Sequence, residues 1–294
     1  MARARVRTVE IGGLRAAIEL PDTLGALLPH WEVSGGPLGS SEPDLHLAVR
    51  VGDKPDRALP GFLYQSGARW VEVAEVEHGW DVSIHTEEGF QRWATFDPNF
   101  RCGEVVVSPA AVSRGVALLS EPLGELIVLQ RLVRGGGLMV RGDLIQSGQT
   151  AILTLGTGHG AQPQHRDGEP WQARGTVLVV PRDGHFEAVC WQGGGPEGTA
   201  FGPRLPLEAI HSTQSASRVR LSRLDADGAI EVLLSYAVMP FHDSLFPSLV
   251  FEAAADITRS VPFVQLSLPY ADSGGTRGER EPLATLIEAM PFRG

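Results

Sequence analysis

The residues with the clearest chemical potential lie in one stretch, Gly135 to Val180, which reads GGGLMVRGDLIQSGQTAILTLGTGHGAQPQHRDGEPWQARGTVLVV. Two apolar runs, Leu138–Ile145 and Thr150–Leu155, come first. A glycine-rich loop follows, Gly156-Thr157-Gly158-His159-Gly160, and then a third apolar run, Thr176–Val180. Strand, strand, glycine-rich loop, strand is the layout of a phosphate-binding site in an α/β domain. The side chains that would do phosphate chemistry are absent from this loop. It also holds His159, His165 and Asp167, a donor set that can bind a divalent metal. Their spacing, His-x5-His-x-Asp, fits no helical or hairpin presentation, so the preferred reading is an exposed loop from His159 to Pro170.

Other candidates are weaker. His211-Ser212 pairs a base with a nucleophile, but neighbours on a strand point to opposite faces. The carboxylates of WVEVAEVEH suggest an acid/base pair, yet Glu72 falls at period two from the apolar face and reads as a solvated strand face. His46 lies on the outward side of its alternation. Trp171 and Trp191 stand near the loops, where rim or core packing competes with stacking on a ligand.

The elements that must position these residues follow from periodicity and turn signals. Val6–Ile11 and Leu14–Leu20 read as strands joined at Gly12-Gly13, and Pro21-Asp22 opens a short helix, Thr23–His30. Leu45, Leu47, Val49 and Val51 alternate at strand period. The pattern persists from Gly61 to Val107, predicting an antiparallel meander. Ser120 is the expected N-cap of a helix with Pro122 in its first turn and Gly135-Gly136-Gly137 at its end. That helix is apolar on more than one side, which predicts burial between two domains. Asp183-Gly184 marks a hairpin. Leu207–Thr213 and Val219–Leu221 read as extended, Asp225–Val238 and Pro247–Arg259 as helices, Val261–Leu268 as a strand and Pro282–Met290 as a last helix.

Bulk properties bound the function. A chain of 294 residues suffices for two domains. Its net charge of −10 argues against a nucleic-acid groove or an anionic membrane surface as the main partner. Only two cysteines, Cys102 and Cys190, occur without metal-ligand spacing, which favours a reducing cytoplasm over a disulfide framework. The N-terminus lacks the apolar core of a signal peptide, and no run reaches the length of a membrane span.

The helix-then-glycine run LGELIVLQRLVRGGGLMVRG, and the later order PRLPLEAIHSTQSASRVRLSRLDADGAIEVLL, helix, SVPFVQLSLP, carry a resemblance. By the order of its parts the chain resembles the HPr serine kinase/phosphorylase-related proteins, a stand-alone kinase-like group often found with peptide-modification genes. The resemblance implies an α+β or α/β protein. Residues 1–110 would be an antiparallel β-rich N-terminal domain, and residues 111–294 an α/β domain like the P-loop kinase domain of HPr kinase. It also implies ATP and Mg²⁺ at the glycine-rich loop.

The functional residues do not follow. Where the family has Gly, four residues and then Gly-Lys-Ser/Thr, Gln162 stands for the lysine and Pro163 for the metal-binding hydroxyl. Arg141 stands at the position of a family histidine, and Arg174-Gly175-Thr176 at that of an aspartate pair. Losing these together removes most of the roughly 8 kcal/mol that a modest phosphotransferase must supply. The expectation is therefore a non-catalytic, pseudokinase-type protein without a cofactor. Its vestigial phosphate loop is Gly156, Thr157, Gly158, His159, Gly160 and Gln162. Arg141, Arg166, Arg174 and Trp171 are its cleft residues. It would bind or scaffold a protein or peptide partner, such as a carrier protein in a peptide-modification pathway. The alternative is an active serine kinase or other phosphotransferase using ATP and Mg²⁺ through a rearranged loop.

Overall fold

The computed structural model describes residues 4–11, 14–27, 43–55, 61–156, 172–195, 198–201, 203–218, 220–239 and 243–269. The chain divides into two compact units. One comprises Met1–Gly135, Gly193–Phe201 and Met239–Leu249, the other Gly136–Gln192, Gly202–Val238 and Val250–Gly294. The fold is mixed α/β, rich in strands, with two mixed eight-stranded sheets and few helices. Among the described residues no helix is long and apolar enough to cross a membrane.

The first sheet is built from β1 (Ala4–Ile11), β2 (Leu14–Pro21), β3 (Leu45–Val51), β4 (Phe62–Ser66), β5 (Arg69–Val76), β6 (Gly79–Thr86), β7 (Gly89–Phe96) and β8 (Cys102–Val107). Its order is β1-β2-β3-β8-β7-β6-β5-β4. The meander from β4 to β8 is antiparallel, as its period-two pattern predicts. The expectation of a wholly antiparallel sheet is corrected, because β3 runs parallel to both β2 and β8. Alternation of apolar and polar residues is the same in parallel and antiparallel strands, so pairing direction is invisible to it. One face carries the core, with Val73, Val82, Ala94, Val105 and Val49 in register across five strands and all buried.

A 3-10 helix, Asp22–Leu27, occupies most of the expected Thr23–His30 helix. The short helix α1 (Pro109–Ser113) was not expected. Ser108 caps it, with its Oγ accepting from the Ala111 N–H at 3.1 Å. Helix α2 (Leu123–Arg134) belongs to the first unit, and Leu126, Ile127, Val128 and Leu129 are all buried. Its N-cap is Pro122, which makes no side-chain capping bond, so the expected capping by Ser120 is corrected. Ser120 turns inward instead. Its hydroxyl donates to the Ala117 carbonyl at 3.0 Å and accepts from Arg92 at 3.2 Å. Gly124 lets the first turn of α2 approach the chain behind it, since a Cβ there would lie 2.1 Å from the Leu119 carbonyl oxygen.

The second sheet contains β9 (Leu138–Ser147), β10 (Thr150–Leu155), β11 (Gln172–Arg182), β12 (His185–Gly195), β13 (Gly198–Phe201), β14 (Leu205–Ala216), β15 (Arg220–Arg223) and β16 (Phe263–Pro269). Its order is β13-β12-β11-β9-β10-β14-β16-β15, and β12 also pairs with the start of β14. The hairpin β11–β12 turns at Asp183-Gly184, both at positive φ, the backbone that a tight two-residue turn needs. Strands β10, β14 and β16 run parallel to one another, while β9, β11 and β15 run antiparallel to their neighbours. Helices α3 (Ala226–Tyr236) and α4 (Phe246–Ser260) occur at the two predicted helical stretches, and Asp225 caps α3. The expected helix Pro282–Met290 lies outside the described residues.

Candidate functional site

The candidate site is the C-terminal end of the parallel strands of the second unit. Open α/β sheets place ligands there, because loops diverge from that edge and leave a crevice. Strand β10 ends at Leu155, and Gly156 follows at φ +81°. A Cβ on Gly156 would sit 2.8 Å from the Tyr236 hydroxyl and 2.9 Å from the Thr213 carbonyl oxygen. Glycine is therefore required twice over, by conformation and by space. The Thr213 hydroxyl donates to the Leu155 carbonyl at 3.1 Å, tying the ends of β10 and β14 together.

Just behind this edge a polar row crosses the sheet. Asp143 on β9 is in register with Thr154 on β10, and Thr154 with His211 on β14. Register partners project from the same face, so three polar side chains share one side of an otherwise apolar sheet. They are 2%, 0% and 1% exposed respectively. Thr154 Oγ1 has no hydrogen-bond partner among the described residues. Burial pushes the His211 imidazole below its ordinary pKa, with Glu208 partly opposing, so it is neutral at pH 7. The Cys190 thiol is pushed up to about 11 by burial and by the Asp143 charge, which makes it unreactive as a nucleophile. His211 and Ser212 are adjacent on β14 and lie on opposite faces, so they form no dyad.

The structure brings two predicted cleft residues close in register. Arg141, exposed on β9, pairs with Thr176 on β11, and Arg174 pairs with Asp143. Thr157, Gly158, His159, Gly160, Gln162, His165, Arg166, Asp167 and Trp171 lie outside the described residues, and so do the expected exposed loop and the weak metal set. Among the described residues no group of three or more His, Cys, Asp or Glu side chains could hold a metal ion. Trp191 is buried at 4% exposure, a packing residue.

Sequence reasoning missed Asp143, Thr154 and Tyr236. The available signal was a carboxylate and a hydroxyl inside the runs LMVRGDLI and AILTL, where both flanks are apolar. The described strand ends offer hydroxyls and an exposed guanidinium, whereas a Mg²⁺ site needs carboxylate oxygens facing the phosphates. Asp143 is the one carboxylate of the row, and its register partner on β11 is an arginine.

A second polar cluster lies in the first unit and corrects the reading of Glu72 as a solvated strand residue. The Glu72 carboxylate is half-buried, 3.5 Å from Lys54 Nζ and 3.6 Å from His85 Nε2. The Ser83 hydroxyl meets the same His85 nitrogen at 2.6 Å, and Lys54 lies 5.8 Å above the Trp93 ring. A Ser–His–carboxylate relay needs serine and acid on different ring nitrogens. Here both address Nε2, and Ser83 is fully buried, so the cluster is a structural network. His46 is exposed, as expected.

Compared with known proteins, the chain matches no family model, and no curated protein matches it.

Proposed function

We propose that this chain is a non-catalytic, HPr kinase-like binding protein whose second unit keeps a P-loop-kinase-like α/β arrangement without its phosphoryl chemistry. Its partner is a protein or peptide, such as a carrier protein of a peptide-modification pathway. The observation that carries the reading is the pairing of Arg141 with Thr176 near Gly156, at the end of β10. By the resemblance a histidine would stand at the first position and an aspartate pair near the second. A guanidinium there adds positive charge where Mg²⁺ would sit, and a neutral hydroxyl stands in place of a carboxylate. Arg141 is exposed and suits a carboxylate or a backbone carbonyl of a bound chain.

Calorimetric titration of the full chain with ATP and with GTP, each with and without Mg²⁺, tests the proposal. Binding at millimolar affinity or weaker is the expected result. A micromolar dissociation constant that depends on magnesium would overturn it in favour of an active phosphotransferase.

A further inference from the structure

The opposite face of the same strands changes character along their length. At the start of the paired region Ile210 on β14 faces Phe263 on β16, and both are buried and apolar. Further along, two successive rows on β14, β16 and β15 are polar, before Ala216 and Pro269 form the last row. One row runs Ser212, Gln265, Ser222 across β14, β16 and β15, and the next runs Gln214, Ser267, Arg220. The Gln214 side-chain amide donates to Ser267 Oγ at 2.9 Å, which confirms that the second row shares a face. Its inner positions are dry, since Ser212 and Ser267 are each only 4% exposed, while Gln265 and Ser222 are half-buried and Gln214 and Arg220 are exposed. Ser212 Oγ has no partner among the described residues, and a buried hydroxyl left unpaired costs about 1–3 kcal/mol. At the outer corner Arg220 is exposed and has no carboxylate partner among the described residues, in a chain of net charge −10.

We infer that this grid is a binding site for a small hydroxylated molecule carrying one oxyanion, phosphate or carboxylate. Arg220 takes the oxyanion, and the serine hydroxyls and glutamine amides take the hydroxyl groups. The inference is independent of the proposed partner binding, since it uses the other face of the sheet. The dimensions suit it. Three strands at ~4.8 Å spacing and two rows about 6.6 Å apart give a footprint of roughly 10 by 7 Å, the size of one sugar ring with one charged substituent. The residue types suit it too. Hydroxyls and amides both donate and accept, as a polyol requires, and a guanidinium binds an oxyanion through two parallel N–H groups. The reverse face of β15 and β16 carries Leu221, Leu266 and Val264, with Arg223 beside Val264, and on β14 it carries His211 and Thr213.

The test is thermal denaturation of the full chain with glucose 6-phosphate, glucuronate, glucose and inorganic phosphate, followed by titration with whichever raises the melting temperature. Glucose 6-phosphate or glucuronate should raise it, and which of them does identifies the oxyanion. Arg220→Gln should weaken that binding by about 10- to 100-fold, and Ser212→Ala by about 3- to 10-fold. Arg223→Gln, on the reverse face, should leave it unchanged. Arg220 is exposed, so its variant keeps the fold and reports binding alone. The inference is overturned if neither charged sugar shifts the melt, if glucose alone shifts it as far, or if Arg220→Gln and Arg223→Gln lose binding equally.

Discussion

Replacing Arg92 with methionine removes a heavily bonded buried side chain of the first unit, and its cost can be worked from the structure. Arg92 is 0% exposed on the core face of β7. Its Nη1 donates to the carbonyls of Ala117, Leu118 and Ser120 and to the Ser120 hydroxyl at 3.0–3.2 Å, and its Nη2 to the Glu121 carbonyl at 3.3 Å. No carboxylate is among these acceptors. Burial, with Arg69 nearby, pushes the guanidinium down from its ordinary value to about 9, which corresponds to a cost of roughly 5 kcal/mol for keeping it charged. Nη1 has two protons to share among four acceptors and Nη2 contributes one bond, so about three full charge-assisted bonds return roughly 5–9 kcal/mol. As an ion, then, the arginine is only modestly favourable.

The larger loss in the variant comes from the acceptors left behind. The Ala117 carbonyl keeps the N–H and hydroxyl of Ser120, and the Glu121 carbonyl keeps Arg69 at 2.7 Å. The Leu118 and Ser120 carbonyls lose their donor, at about 1–3 kcal/mol each. We expect Arg92→Met to destabilise by about 3 kcal/mol, which lowers the melting temperature by roughly 6–12 °C for a unit of this size. Urea unfolding followed by tryptophan fluorescence reads it directly, because Trp80 and Trp93 are buried in the same sheet. Arg69→Met is the control. Its acceptor is also served by Arg92, so it should cost less than about 1 kcal/mol. A loss below about 1 kcal/mol for Arg92→Met, or equal losses for the two variants, would refute the claim that these carbonyls depend on Arg92.

Three further outcomes are expected. Gly156→Ala should cost about 2 kcal/mol or more, from its positive φ and from the 2.8 Å approach to the Tyr236 hydroxyl, and Tyr236→Phe should recover part of that in a thermal melt. Burial lowers the pKa of His85 and of His211, so the unfolded chain binds more protons just below its histidine pKa. Stability should therefore fall as pH drops from about 6.5 towards the lower folded values, and His85→Gln should flatten the slope of urea midpoint against pH. Deleting residues 159–167 should change the melting temperature by only a few degrees. β10 and β11 both pair with β9, two strand spacings apart and about three residues offset along it, a gap of roughly 14 Å that the seven remaining linking residues can span.

Local rules reached the elements but not their partners. The strand period located β3 and the meander from β5 to β8, and the apolar spacing located α3 and α4 to within a residue or two. The direction of β3 was out of reach, since direction depends on a connection between distant segments. Arg92 was legible in principle, because it shares strand parity with Ala94 and Phe96, both buried. Its acceptors were not, for they belong to a turn some 25–29 residues later whose carbonyls converge only in three dimensions. The misplaced N-cap has the same origin. Ser120 has the right chemistry and the right position before a helix, but Arg92 competes for its hydroxyl, and tertiary contact overrides local capping.

The same limit explains why neither polar row of the second unit was legible, although His211 and Ser212 stand out as a pair. Asp143, Thr154 and His211 come from three separate segments, and so do Ser212, Gln265 and Ser222. Asp143 and Thr154 are flanked by apolar residues, and the run His211–Ser215 reads in isolation as one polar stretch. Register alone turns them into rows. Both rows cross β14 at neighbouring residues, His211 on one face and Ser212 on the other, next to the end of β10. A sheet that turns polar on both faces at the same level gives up apolar burial that a purely structural strand would keep. The loss falls at the C-terminal end of the parallel strands and not at their start, where Ile210 and Phe263 remain apolar. That asymmetry favours ligand binding over a generally weak core.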